Sequence, residues 1–173
     1  MNIKQGVVAP LFLAAATFSA AASELNVTVE IPKMSVAEYH KPYLAVWIED
    51  SQNQVVSNLA VWYDEDMRNG EGEKWLKDMR QWWRRTGRTL TMPVDGVTGA
   101  TRGPGQHALQ FTLGQAPLQS LAAGDYQLRV EAAREVGGRE LLNIPFSWPQ
   151  QAAVTLKASG NSELGDIALT INP

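Results

Sequence analysis

A chain of 173 residues without a single cysteine excludes disulfides, thiolate metal sites, a cysteine nucleophile and a lipidated cysteine behind a leader. Its 15 basic and 18 acidic residues leave a formal net charge of −3. That balance argues against nucleic acid or an anionic membrane as the main partner.

The first element in the chain is a leader. Lys4 supplies a positive start, residues 6–21 are apolar or small, and residues 20–22 offer the small side chains that a signal peptidase reads. The alanine-rich run is short for a membrane span, and no basic stop follows it. Residues 1–22 are therefore expected to be a signal peptide, and residues 23–173 one exported domain that does not insert into the membrane after cleavage. The net charge becomes −4 once Lys4 leaves. A chain of this length can bury one core without disulfides.

Strand patterns follow. LNVTVEI (25–31) alternates apolar and polar residues, so one face is expected to be buried. YLAVWIED (43–50) is apolar on both parities, as a central strand would be. The turn residues SQNQ separate it from VVSNLAVWY (55–63), and the pair reads as an antiparallel hairpin. The acidic run DEDMRNGEGE (64–73) invites a calcium reading. It fails the EF-hand spacing, because the loop glycine would fall on Asn69, so a solvated loop is expected instead.

The period then changes. In GEKWLKDMRQWWRRTG (72–87), Trp75, Leu76, Met79, Trp82 and Trp83 fall on one face of an α-helix, with basic residues in its last turn and Gly87 closing it. Trp47, Trp62 and Trp75 are expected in the core. Adjacent Trp82 and Trp83 cannot share one contact, so one of them is expected nearer the rim.

Strands resume at 107–113, 125–133, 140–148, 154–158 and 166–172, and Pro145 marks its strand as an edge or a bulge. Tyr126, just after Gly124, stands where a tyrosine-corner contact would form. Short strands at close spacing with glycine-rich turns predict an immunoglobulin-like antiparallel β-sandwich carrying one amphipathic helix. His40 and His107 lie far apart with no second nitrogen ligand near either, which points to surface or strand-edge roles rather than a metal. No Gly-x-Ser-x-Gly elbow is present, so a hydrolase is not supported and no enzymatic activity is expected.

The remaining loop, DGVTGATRGPG (95–105), holds the chemistry-bearing pattern. Asp95-Gly96-Val97-Thr98-Gly99-Ala100-Thr101 fits Asp-Gly/Ala-x-Ser/Thr-Gly-Ala-Ser/Thr at every fixed position. By average residue usage, a chance match in a chain this long is rarer than roughly one in a thousand. The segment resembles the acceptor motif of covalently flavinylated proteins. That resemblance implies a flavin transferase that moves the FMN part of FAD onto Thr101.

Such an acceptor hydroxyl must enter another enzyme's active site and attack a polarised phosphoryl group. Gly96, Gly99 and Ala100 keep the backbone bare for that approach. Arg102 could pair with the FMN phosphate or ribityl chain. Asp95 could cap the loop or help hold the transferase metal. Composition alone also allows an ordinary glycine-rich loop whose threonines, Thr98 and Thr101, bond the backbone.

KPYLAVWIED, LAVWYDED, EKWLKDMRQWW, VTGATRGPG and GDYQLRVEAAREVGG, in this order and spacing, resemble a family of predicted periplasmic bacterial proteins without an established activity, over about residues 25–148. Such proteins tend to be encoded beside PepSY-domain membrane proteins and flavin transferases, so the resemblance implies extracytoplasmic electron transfer. Familiar flavinylated domains are α/β folds, so only residues 95–101 carry over position by position to a chain that reads as a β-sandwich. The expectation is a periplasmic electron carrier with FMN on Thr101, fed by a PepSY-type membrane reductase, with Trp82 or Trp83 as ring contacts. The alternative is a non-catalytic immunoglobulin-like binding or assembly module.

Overall fold

Alternation in β1 (Glu24–Ile31) turns Leu25, Val27, Val29 and Ile31 to one side, each at most 1 % exposed. Burying a side chain of this size stabilises the fold by about 1.5–3 kcal/mol. The computed structural model describes residues 23–173, and the expected leader lies outside them. Strand β1 pairs antiparallel with β5 (Gly105–Thr112) and with β9 (Asp166–Asn172), and β9 pairs with β8 (Val154–Ser159). The resulting four-stranded sheet runs in the order β5-β1-β9-β8.

The second sheet has five strands. It is built on β2 (Tyr43–Asp50), β3 (Val55–Tyr63), β6 (Gly124–Ala133) and β7 (Arg139–Trp148), with a short β4 (Thr98–Ala100) beside β3. The hairpin expected over 43–63 forms, with two register shifts along it. Strand β7 is an edge, as Pro145 requires, since proline cannot donate to a second neighbour. The Tyr126 hydroxyl donates to the Ala122 carbonyl at 2.8 Å, closing a tyrosine corner. The architecture is the predicted β-sandwich.

Strand β2 is buried on both faces. Leu44, Val46 and Ile48 join Leu128, Val130 and the β1 side chains between the sheets. Ala45 and Trp47 face the other way and pack with Val61, Leu76, Met79 and Trp82 under a helical insertion. Trp47 is fully buried and Trp62 nearly so, as expected of core rings.

The insertion differs in detail from a continuous helix over 72–87. It consists of α1 (Glu71–Lys74), a 3-10 turn at Leu76–Asp78, α2 (Arg80–Arg85) and a second 3-10 turn at Gly87–Thr89. The chain breaks at Met79, whose φ of −76° and ψ of 72° are not helical. The cause lies across the sheet. The buried Glu131 carboxylate accepts the Gln81 N–H at 3.0 Å and the Trp82 N–H at 2.7 Å, capping a fresh helix start from a strand.

Trp75, at the end of α1, lies off the buried face. It is 44 % exposed, so it is not a core ring. Gly87 does not cap α2 at its end; it is required because a Cβ there would lie 2.5 Å from the Trp82 ring.

Candidate functional site

The glycine-rich loop is tied more closely to the sheet than a free connection would be. Val94–Thr98 makes a tight turn in which the Thr98 amide donates to the Val94 carbonyl at 2.9 Å. The Thr98 hydroxyl accepts the Val94 N–H at 2.8 Å. Gly96 sits at φ +69° in this turn, a conformation that favours glycine. Val97 is buried, and its carbonyl accepts the Val61 N–H at 2.9 Å. These bonds deliver β4 alongside β3 in a parallel register, Val61 to Thr98, Trp62 to Gly99 and Tyr63 to Ala100. A Cβ at Gly99 would make only an ordinary contact with the Trp62 ring, at 3.5 Å, so the pairing does not itself require glycine there.

Thr101 is the first residue past the strand. Its amide donates to the Tyr63 carbonyl at 3.2 Å, which fixes its backbone. Its side chain is half-buried, and its hydroxyl makes no hydrogen bond among the described residues. Arg102 lies with its guanidinium carbon 4.1 Å from the centroid of the Trp62 ring. His107 meets the same ring edge-on at 5.7 Å and donates through Nε2 to the Gly103 carbonyl at 2.8 Å. A guanidinium stacked on a ring keeps its in-plane N–H donors available at the edge.

Thr101 and Ala100 form part of the wall of a cleft of about 660 Å³. The other walls come from distant parts of the chain: Tyr39, His40 and Tyr43 before and within β2, Trp75 and Arg80 from the insertion, and the turn that joins β6 to β7. Burial pushes the Tyr39 and Tyr43 phenols above their ordinary value of 10.0, so both remain O–H groups at neutral pH. His40 stands between two carboxylates, Glu38 at 3.1 Å and Glu135 at 3.4 Å. Arg134 is anchored from behind by Glu163 at 2.8 and 3.1 Å, and the same carboxylate accepts the Gly138 N–H at 2.7 Å. This pair fixes the β6–β7 turn as a rigid rim.

Of the residues expected to bind the cofactor, Ala100 and Thr101 reach the cleft, whereas Asp95, Thr98, Gly99 and Arg102 do not line it. Asp95 is exposed at the start of the turn. Neither Trp82 nor Trp83 lines the cleft. Trp82 is fully buried, and its indole N–H donates to Asn58 Oδ1 at 2.9 Å, so no ligand can stack on it. The aromatic rings at the cleft are Tyr39, Tyr43 and Trp75. Sequence periodicity placed Trp75 in the core, and nothing local distinguished the two tyrosines. Among the described residues, no three histidine, aspartate or glutamate side chains converge as a metal site would need.

The chain belongs to a family of predicted periplasmic proteins (DUF2271), whose model matches residues 24–166. This membership places the protein in the periplasm, in agreement with the leader expected from its first residues. No curated protein and no solved structure matches the chain.

Proposed function

We propose that the protein is a periplasmic electron carrier with FMN joined to Thr101 by a flavin transferase. The observation that carries this reading is that the complete motif of residues 95–101 ends on a half-buried threonine at the wall of a cleft of about 660 Å³. The residues present fit such a group: the hydroxyl is not used in the fold, and open space adjoins it.

Attachment requires the Thr101 Oγ–H to attack the FMN-side phosphorus of FAD. An Oγ–P bond forms, the P–O bond to AMP breaks, AMP leaves, and the hydroxyl proton passes to a base of the transferase. The Tyr63 carbonyl holds the Thr101 backbone, from which the hydroxyl extends. Arg102, immediately next in sequence, has guanidinium edge donors for a phosphate oxygen.

Once attached, FMN supplies the electron-accepting and electron-donating chemistry that no side chain here offers. The protein itself tethers and orients the flavin, taking electrons from a PepSY-domain membrane reductase and passing them to an acceptor. It performs no substrate chemistry of its own.

The test is coexpression with a flavin transferase of proven activity, followed by intact-mass analysis and in-gel fluorescence after boiling in detergent. The expected result is one added FMN on the mature chain, absent in Thr101→Ala. An unchanged mass in the wild type removes the proposal and leaves the second reading, a binding or assembly module whose partner is retained by Thr101→Ala.

A further inference from the structure

The cleft beside Thr101 has features that folding alone does not explain. Trp75 is 44 % exposed on its wall, although its neighbours Leu76, Met79 and Trp82 are all buried. The Tyr39 hydroxyl is buried without a hydrogen-bond partner, an arrangement that native structures rarely leave unanswered. Val136, on the rim, is 80 % exposed and holds φ at +52°, an unfavourable conformation for a β-branched side chain. Backbone strain of this kind tends to gather at ligand sites. The volume of about 660 Å³ falls within the roughly 300–1,000 Å³ typical of clefts that enclose a drug-sized molecule.

Charge narrows what can enter. Asp64, Glu65, Asp66, Asp78 and Glu135 line the cleft against Lys41, Arg80 and Arg134, and Arg134 is already paired with Glu163. A free anionic ligand meets this surplus of carboxylates unfavourably. A flat, uncharged aromatic group tethered from the wall does not. It would find aromatic rings to contact and two buried hydroxyls, of Tyr39 and Tyr43, without partners.

We propose that this cleft seats the isoalloxazine ring of the flavin, with Trp75 and Tyr43 against the ring and the Tyr39 hydroxyl bonded to its polar edge. The inference rests on Thr101 being the acceptor. The phosphodiester starts from Thr101 on the cleft wall, with the guanidinium of Arg102, next in sequence, as its cationic partner. The rim formed by the β6–β7 turn, braced by Glu163, holds the opening in shape.

The experiment uses the full chain loaded by coexpression with a flavin transferase. Intact mass reads the load, and flavin emission in the folded and denatured protein reads the environment. Native emission is expected to be several-fold below that of the denatured chain, quenched by the aromatic walls. Trp75→Ala should recover much of it at equal load, Trp75→Phe should recover less, and Tyr39→Phe should shift the visible absorption band.

Equal emission from folded and denatured wild type overturns the proposal. So do Trp75→Ala and Tyr39→Phe variants that match the wild type while the load is complete. A chain that never gains mass is a different failure, since it removes the acceptor reading and this inference with it. Because Trp75 is half-exposed, Trp75→Ala leaves the folded chain intact, and an unchanged melting temperature verifies this.

Discussion

Two threonines three positions apart illustrate how one residue type serves two ends. The Thr98 hydroxyl is consumed inside the turn, where it accepts the Val94 N–H at 2.8 Å. Thr101 has its amide fixed by Tyr63 and its hydroxyl left over. Removing each should therefore have opposite consequences. Thr98→Ala strips an acceptor from a half-buried amide and should destabilise the domain by about 1 kcal/mol, while still accepting flavin. Thr101→Ala should leave stability within about 0.5 kcal/mol of wild type, while losing the attachment entirely. Urea unfolding beside intact-mass analysis separates the two. Equal loss of flavin in both variants, at equal stability, would mean that the turn and not the hydroxyl is what the transferase reads.

Among the elements, the strands were the most legible in sequence. Period-two alternation in β1 and the doubly apolar β2 translate directly into one buried face and two. Strand β4 was hidden because three residues, two of them Gly99 and Ala100, have no period, and its parallel pairing depends on β3 rather than on itself. The insertion was legible as helical and amphipathic, but its break at Met79 was not. The capping carboxylate lies 50 residues from Gln81 and 49 from Trp82 along the chain.

The cleft was opaque for the same reason, since its walls come from widely separated segments and only Thr101 carried a local signal. Glu131 thus holds α2 in place. It also accepts from Arg139 Nη1 at 2.6 Å while itself fully buried. Glu131→Ala leaves two helix amides and a guanidinium without their acceptor and should destabilise the domain by about 3–5 kcal/mol. Thermal melts should show this together with the loss of tryptophan signals from the packed insertion. A change below about 1 kcal/mol, typical of a surface pair, would mean that water replaces the carboxylate and that α2 is held by its apolar face alone.

Across the whole molecule, the two sheets are joined at one end by carboxylates that reach from one to the other. Glu140, in β7 of the five-stranded sheet, accepts the amides of Asn161 at 2.9 Å, Ser162 at 3.1 Å and Leu164 at 2.8 Å, all in the turn between β8 and β9. Burial is the largest single influence on its carboxyl and pushes its pKa up. The amides of Asn161, Leu164 and Ser162 together outweigh that and hold it below its ordinary 4.5. A depressed folded value means that the stabilisation is fully present above the unfolded pKa and is lost as pH falls through the folded one. Glu140→Gln removes the charge, so its deficit relative to wild type should be present at neutral pH. The gap should shrink below about pH 4.5 and close once the wild-type carboxyl is protonated. A gap that persists unchanged into acid would show that the side chain acts through shape rather than charge. The same turn carries Glu163, which grips Arg134 and the Gly138 amide at the rim of the cleft. Loosening the turn should therefore propagate. In Glu140→Gln, hydrogen exchange should accelerate at Gly138 as well as at Asn161, Ser162 and Leu164, whereas protection that falls only in the turn would separate the sheet clamp from the site.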